Sequence, residues 1–169
     1  MQTFLPSKTF NTSAQMLDNK RLNKQVLEGY QILNVLSNDD PHAGWRNHPA
    51  VKMWRGSEHF LYSYVLAMVA EANKRGIKTD KNMENLTRLR NANKDRWGTD
   101  SPFWYHDELI MRKINTTHRA NLYIKDSNFY EPFLYALNHK DNKPCCDRCN
   151  YYWVTHEYNM DSKELANVA

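Results

Sequence analysis

No apolar run in this chain approaches the roughly 18 residues that a membrane-spanning helix needs, which excludes an integral helical membrane protein. With five glycines and six prolines in 169 residues, the chain is also too poor in turn formers for a many-stranded β-sandwich, and its composition favours helices. Cysteine is scarce: Cys145, Cys146 and Cys149 are an odd number crowded into five positions, not the spaced framework of a small disulfide-rich secreted domain. The first residues, Met1 to Phe10, lack a basic region followed by an apolar one, so the default address is cytoplasmic. There is no Gly-rich phosphate loop, no Gly-x-Ser-x-Gly elbow and no His-Glu-x-x-His helix, which sets aside nucleotide hydrolysis, esterase chemistry and the common zinc peptidases. Internal repeats and low-complexity tracts are absent as well.

What is there describes a globular helical protein. Hydrophobic residues make up 41 % and charged residues 25 %, and the length suits one domain, expected over residues 1–158 with a frayed polar tail at 159–169. The expected fold class is all-α: a single compact helical domain with long loops and an irregular aromatic C-terminal segment. Lys and Arg number 23 against 19 Asp and Glu, an excess of +4 that is too small on its own to establish a polyanionic partner. Aromatics, at 12 %, exceed what a core of this size requires.

Four helical stretches can be read along the chain. Asn11 to Asn38 is uninterrupted by proline and can be capped by Thr12 or Ser13. At 100° per residue its Leu22, Val26, Leu33 and Leu36 fall in one stripe of roughly 80°, the face expected to bury. Arg21, Lys24 and Glu28 share a second face with Leu17 and Gln31, because steps of three and four residues return to the same side. A carboxylate among cations on a helix is commonly a solvated ion-pair ladder, and a catalytic grouping is the alternative. The stretch "NDDPHAGWRNHP" reads as a loop displaying Trp45, Arg46, Asn47 and His48. Val51 to Arg75 reads as the strongest helix, with a centre, "FLYSYVLAMVA", apolar enough on all sides to cross the core and an end marked by Lys74, Arg75 and Gly76. Thr79 to Ser101 reads as a short helix and an exposed loop. A last helix begins near Pro102, Asp107 and Glu108, with Leu109, Ile110, Ile114 and Leu122 on its apolar side.

Two constellations carry chemistry. The run "CCDRC" offers one Cys-x-x-Cys pair and a third thiol, with His139 and His156 within reach, yet a structural zinc site normally has a second separated ligand pair; free thiols are the plainer reading. The second is the repeated pairing of cations with aromatics: Trp45 with Arg46, Trp54 with Lys52 and Arg55, Arg96 with Trp97, and His118 with Arg119. Cations neutralise phosphates and aromatic faces stack on unstacked bases, so their interleaving is the footprint of a protein that distorts nucleic acid. Tryptophan is equally a core residue, and part of this set is expected to be packing only.

Three segments, "SAQMLDNKRLNKQVLEGYQIL", "NHPAVKMWRGSEHFLYSYVLAMVAEANKRGIK" and "INTTHRANLYIKDSNFYEPF", together about half of the chain, resemble in order and spacing the pyrimidine-dimer DNA glycosylase (phage endonuclease V-like) family. The stretches "MQTFLP", "KRLNKQ" and "WRNHPAVKMWRG" are similar to its bacterial and phage branch.

That resemblance implies an all-helical, cofactor-free DNA repair enzyme of one domain, with damaged duplex DNA as partner and acting as a monomer. It also implies an N-glycosylase with possible AP-lyase activity, in which the α-amine of the N-terminal residue attacks C1′ of the damaged nucleotide and forms an imine. An α-amine suits this work because its ordinary pKa of about 7.7–8.0 leaves a neutral, nucleophilic fraction at neutral pH. Carried onto this sequence, the resemblance implies the Met1 amine as nucleophile, retained because Gln2 is too bulky for removal of the initiator. Arg21 and Lys24 match the basic part of the first helix, and His48 matches the residue opening the central segment. The carboxylate is Glu28 or Asp18, and Lys20 or Lys24 are alternative imine formers. DNA contacts are expected from Lys20, Trp45, Arg46, Asn47, Lys52, Trp54, Arg55, Arg112, His118 and Arg119. Two readings compete with a dimer glycosylase: one for another modified base, and a non-catalytic nucleic-acid-binding module with zinc at Cys145, Cys146 and Cys149.

Overall fold

The computed structural model describes residues 1–138 and 151–154. After an extended start come α1 (Phe10–Met16), α2 (Asn19–Leu36), α3 (Pro49–Lys52), α4 (Glu58–Lys74), α5 (Asp80–Asn93), α6 (Phe103–His106), α7 (Glu108–Lys125) and a 3₁₀ helix, Glu131–Asn138. No strand occurs among the described residues, so the all-α expectation holds. No helix among them is long and apolar enough to cross a membrane. The expected tail at 159–169 and all three cysteines lie outside the described residues.

The first expected helix is two. Leu17 is extended, and the Asp18 carboxylate accepts a hydrogen bond from Arg21 N at 3.0 Å, so a new helix is capped where the old one ends. The cap of α1 is Thr9, whose hydroxyl takes Thr12 N–H, rather than Thr12 or Ser13. The open end of α1 is closed from a distance. Arg75 donates to the carbonyls of Ala14, Gln15 and Leu17 at 3.3, 2.9 and 2.6 Å while pairing with Glu71 at 2.7 Å. The stretch Val51 to Arg75 is also broken, at a turn around Gly56, whose φ of 79° is open to glycine at no steric cost. The Glu58 carboxylate staples that turn, accepting from Gly56 N at 2.9 Å and Gly98 N at 2.8 Å. As expected, α4 ends at Lys74 and Arg75, with Gly76 at φ 74° and an Ile77 N–H to Ala72 carbonyl bond of 2.9 Å. It does not run sheathed through the core, because Leu66 is exposed.

The core forms where α2 crosses α4. Leu22, Val26, Ile32 and Leu33 of α2 face Leu61, Val65, Met68 and Val69 of α4, all buried, with Leu36 half-buried at the end of the stripe. Each buried aliphatic side chain in this seam stabilises the fold by about 1.5–3 kcal/mol relative to exposure. The crossing is tight at Gly29: a Cβ there would stand 2.4 Å from Val65 Cγ2. A larger residue would push the helices apart one position from Glu28.

Through this seam runs the N-terminal segment, which is extended yet buried from Thr3 to Pro6. Its polar backbone must be satisfied by side chains, since it pairs with no strand. Phe4 N–H reaches Gln25 Oε1 at 2.8 Å, Leu5 N–H reaches His118 Nδ1 at 2.8 Å, and the Leu5 and Pro6 carbonyls accept from Asn115 at 2.7 Å and Arg119 at 2.6 Å. Thr3 Oγ1 accepts from the Trp54 indole at 3.0 Å. Helices α2, α4 and α7 thereby fix the position of the chain's first residue.

Candidate active site

Beside that first residue lies a cavity of about 500 Å³ lined by Met1, Gln2, Phe4, Lys20, Arg21, Lys24, Glu28, His48, Lys125, Tyr151 and Trp153. Glu28, the single carboxylate lining it among the described residues, is only 7 % exposed, which corrects the solvated-ladder reading of the Arg21–Lys24–Glu28 face. The carboxylate is shared. Glu28 Oε1 faces the Met1 α-amine at 3.8 Å and Lys24 Nζ at 3.7 Å, while Oε2 accepts from Gln25 Nε2 at 3.1 Å. A buried carboxylate is costly unless compensated in this way. Lys24 arrives from the open side, with its side chain 64 % exposed.

Asp18, the other carboxylate weighed from sequence, is committed elsewhere. Besides capping α2 it accepts from Arg21 Nη1 at 2.6 Å and from the Tyr130 hydroxyl at 2.6 Å. Burial pushes its carboxyl up, but the hydrogen bonds from Tyr130 and Arg21 outweigh burial and hold it below the ordinary value. Burial and the bond to Asp18 likewise push the Tyr130 hydroxyl up, so it remains a donor. Arg21 also donates to the Lys125 carbonyl at 3.0 Å and lies 5.5 Å from the Tyr130 ring centroid. It joins the start of α2 to the end of α7 and only borders the cavity.

His48 caps α3, its Nδ1 accepting from Ala50 N at 3.1 Å, which leaves Nε2 to carry the proton in the neutral ring. Burial, and then the charge of the nearby Met1 amine, push its pKa below the ordinary 6.5. Trp45 and Trp153 lie against His48 at ring-centroid distances of 5.5 and 6.2 Å. Trp45 itself is 63 % exposed and adopts φ 70°, the left-handed region that a bulky residue rarely enters. Behind it, Arg46 donates to the Asn38 carbonyl at 2.7 Å and Arg55 to the Arg46 carbonyl at 2.9 Å, fastening the loop; Asn47 is exposed and Lys52 half-buried.

Two residues expected to touch DNA are core residues instead. Trp54 is fully buried against Phe10, Tyr64 and Trp104 because its indole N–H is taken by Thr3. His118 is fully buried with its Nδ1 on Leu5 N–H, and burial pushes its pKa down to about 3, so it stays neutral. Trp97, buried with its indole donating to Ser37 Oγ at 2.9 Å, is likewise packing. Arg112 and Arg119 are not brought to the Glu28 cavity. They line another of about 400 Å³ with Lys8, Glu108, Asn115 and Tyr135. Sequence reasoning passed over Gln25, Tyr64, Lys125, Tyr151 and Trp153; Gln25 is one helical turn from Glu28 and could have been found from that spacing, whereas the other four come near Glu28 or Met1 only through the fold, and the aromatic density of the last segment hinted at the final two. No group of three His, Cys, Asp or Glu placed to hold a metal occurs among the described residues, and the cysteine run lies outside them.

The arrangement can do specific chemistry. An amine, a buried carboxylate and a neutral imidazole share one cavity, lined also by Lys20, Lys24, Lys125 and Arg21 and by the aromatic residues Phe4, Tyr151 and Trp153. In general a neutral amine can act as a nucleophile, a buried carboxylate can carry protons or offset positive charge, and cationic and aromatic side chains suit phosphates and flat bases. A family model described as pyrimidine dimer DNA glycosylase matches residues 1–85, a span that contains Met1, Glu28 and His48. No curated protein and no solved structure gives a significant match.

Proposed function

This chain belongs to the pyrimidine dimer DNA glycosylase family, and from that premise we propose that it excises cyclobutane pyrimidine dimers from duplex DNA with the Met1 α-amine as nucleophile. The observation that carries this reading is the amine held 3.8 Å from the buried Glu28 carboxylate at the wall of a cationic, aromatic-lined cavity. In the first step the amine nitrogen bonds to C1′ of the damaged nucleotide as the C1′–base bond breaks, and the base departs from C1′ with that electron pair, takes up a proton and stays tethered to its neighbour through the cyclobutane ring. Glu28 stabilises the positive charge that develops on the sugar, an electrostatic effect strengthened by its burial. The amine then loses its proton, the C1′–O4′ bond opens with protonation of O4′, and an imine links Met1 to C1′. Loss of a C2′ proton expels the 3′ phosphate, and water hydrolyses the imine to free the enzyme. Glu28 is the proton carrier for these transfers, and His48 presents a neutral N–H donor to the same cavity. Lys20, Lys24 and Lys125 hold flanking phosphates, while Trp45, Tyr151 and Trp153 offer faces to bases that leave the stack.

The test uses duplexes carrying one thymine dimer, one abasic site or no damage, with base release, scored on the dimer after photoreversal of the cyclobutane ring, and strand scission measured separately. Turnover confined to the damaged duplexes, reduced by a factor of about 10²–10⁴ in Glu28→Gln, is the expected result. Base release without scission would refute the imine route and leave a water-activating glycosylase. Absence of both on the dimer would refute the assignment of lesion.

A further inference from the structure

Gln25 lies between the two halves of this site and is fully buried. Its carboxamide orientation is fixed by its neighbours. The Glu28 carboxylate can only accept, so the group 3.1 Å from Oε2 must be the amide NH₂. The opposite end, Oε1, accepts from Phe4 N–H at 2.8 Å and lies 2.7 Å from the Tyr64 hydroxyl. Tyr64, buried on α4, also touches the Phe4 backbone, with its oxygen 3.1 Å from Phe4 N and 3.0 Å from Phe4 O. Burial pushes the Tyr64 phenol well above its ordinary pKa, so it stays a neutral donor.

We infer that Gln25 is a positioning residue that sets the extended segment bearing the Met1 amine and the Glu28 carboxylate in one frame, an assignment that rests on the proposed amine chemistry. One oxygen of Glu28 is pinned by Gln25, and rotation of the carboxylate is thereby limited, leaving the other oxygen toward the amine. The same side chain helps stop the N-terminal segment from sliding, because Phe4 is three residues from the nucleophile and its N–H is held by Gln25 together with Tyr64. Misplacement of a reacting group by about 1 Å costs on the order of 10² in rate, so a group that registers both partners controls turnover without touching DNA.

Two substitutions separate the two functions. Gln25→Glu keeps an acceptor for Phe4 N–H and Tyr64 O–H but replaces the donor to Glu28 with a carboxylate. Gln25→Met removes both. The expected result for Gln25→Glu is retained protection of the Phe4 amide in hydrogen exchange, KM for dimer DNA within about threefold of wild type, and kcat lowered by about 10²-fold. Its kcat relative to wild type should recover as pH falls, because protonation of the introduced carboxylate restores a donor for Glu28. Gln25→Met should lower Phe4 protection as well, without abolishing it, because the Tyr64 oxygen 3.1 Å from Phe4 N remains as an acceptor. A kcat unchanged per folded molecule in Gln25→Glu, or one lowered equally at every pH, would overturn the positioning role. A wild-type protein that turns over no dimer would overturn the proposed chemistry and this role with it, and the Phe4 exchange measurement shows separately whether the hydrogen-bond frame exists.

Discussion

Adding one glycine before Met1 is the sharpest perturbation of the N-terminal site. The N-terminal segment cannot slide to accommodate it, since Thr3, Phe4 and Leu5 are held by Trp54, Gln25 and His118 at 3.0, 2.8 and 2.8 Å. The added residue therefore carries the α-amine onward by one Cα–Cα step, about 3.8 Å, from a starting distance of 3.8 Å to Glu28 Oε1. In its place stands an amide nitrogen, which is not nucleophilic. A displacement several times the roughly 1 Å that costs 10² in rate should lower imine formation on an abasic duplex by at least about 10²-fold. Stability should change by only about 1 kcal/mol, because Lys24 remains 3.7 Å from the same carboxylate oxygen. The assay is the single-turnover rate of strand scission, with thermal unfolding and DNA affinity measured in parallel. A rate within about threefold of the unextended protein would refute the reasoning, because it would place the nucleophile on a lysine whose position does not depend on the chain terminus.

Other expectations follow from the same geometry. Asp18 has a folded-state pKa below its ordinary value, so its contribution is fully present above the unfolded pKa near 3.8 and is lost as pH falls through the folded value. Acid titration of stability should show this limb in the native protein and a flatter one in Asp18→Asn, and Asp18→Ala should cost about 2 kcal/mol in urea unfolding at neutral pH. Gly29→Ala gains about 1 kcal/mol of helix propensity but forces a methyl against Val65 Cγ2 across 2.4 Å, so unfolding should show a net loss of about 1–2 kcal/mol. Trp45→Gly relieves a left-handed backbone at φ 70° and removes an exposed ring, so thermal stability should hold or rise while fluorescence of 2-aminopurine beside the lesion reports less unstacking. Equal unstacking by Trp45→Gly would show that the ring does not enter the duplex.

The fold was legible wherever the pattern was local. The α2 stripe of Leu22, Val26 and Leu33, the glycine stop after Arg75 and the Asp107 start of α7, which accepts from Ile110 N at 3.0 Å, all rest on spacing within one or two turns. The breaks at Leu17 and Gly56 were not legible, because the groups that stabilise them, Arg75 and Glu58 with Gly98, act partly across long separations. At the site, the shared face of Arg21, Lys24 and Glu28 could be read from helical steps, but not the burial of Glu28, beside which the N-terminal segment brings Met1 to 3.8 Å. Trp54 and His118 misled for a related reason. Their neighbouring cations in sequence suggested phosphates, whereas their hydrogen bonds go to Thr3 and Leu5 more than 50 residues away along the chain. Asp18 and Glu28 were indistinguishable as carboxylates on one helix, and they part only in three dimensions, one tied to Tyr130 and Arg21 and the other facing an amine.

The central claim is that the Met1 amine, seated by a buried extended segment beside Glu28, forms the covalent link to damaged DNA. Borohydride reduction of the untagged protein on a duplex with a single thymine dimer, followed by peptide mapping of the adduct, tests it most directly. The account requires one adduct, on the Met1 α-amine, absent from undamaged duplex. An adduct on Lys20 or Lys24, or none on a duplex whose damaged base is nevertheless released, would contradict it.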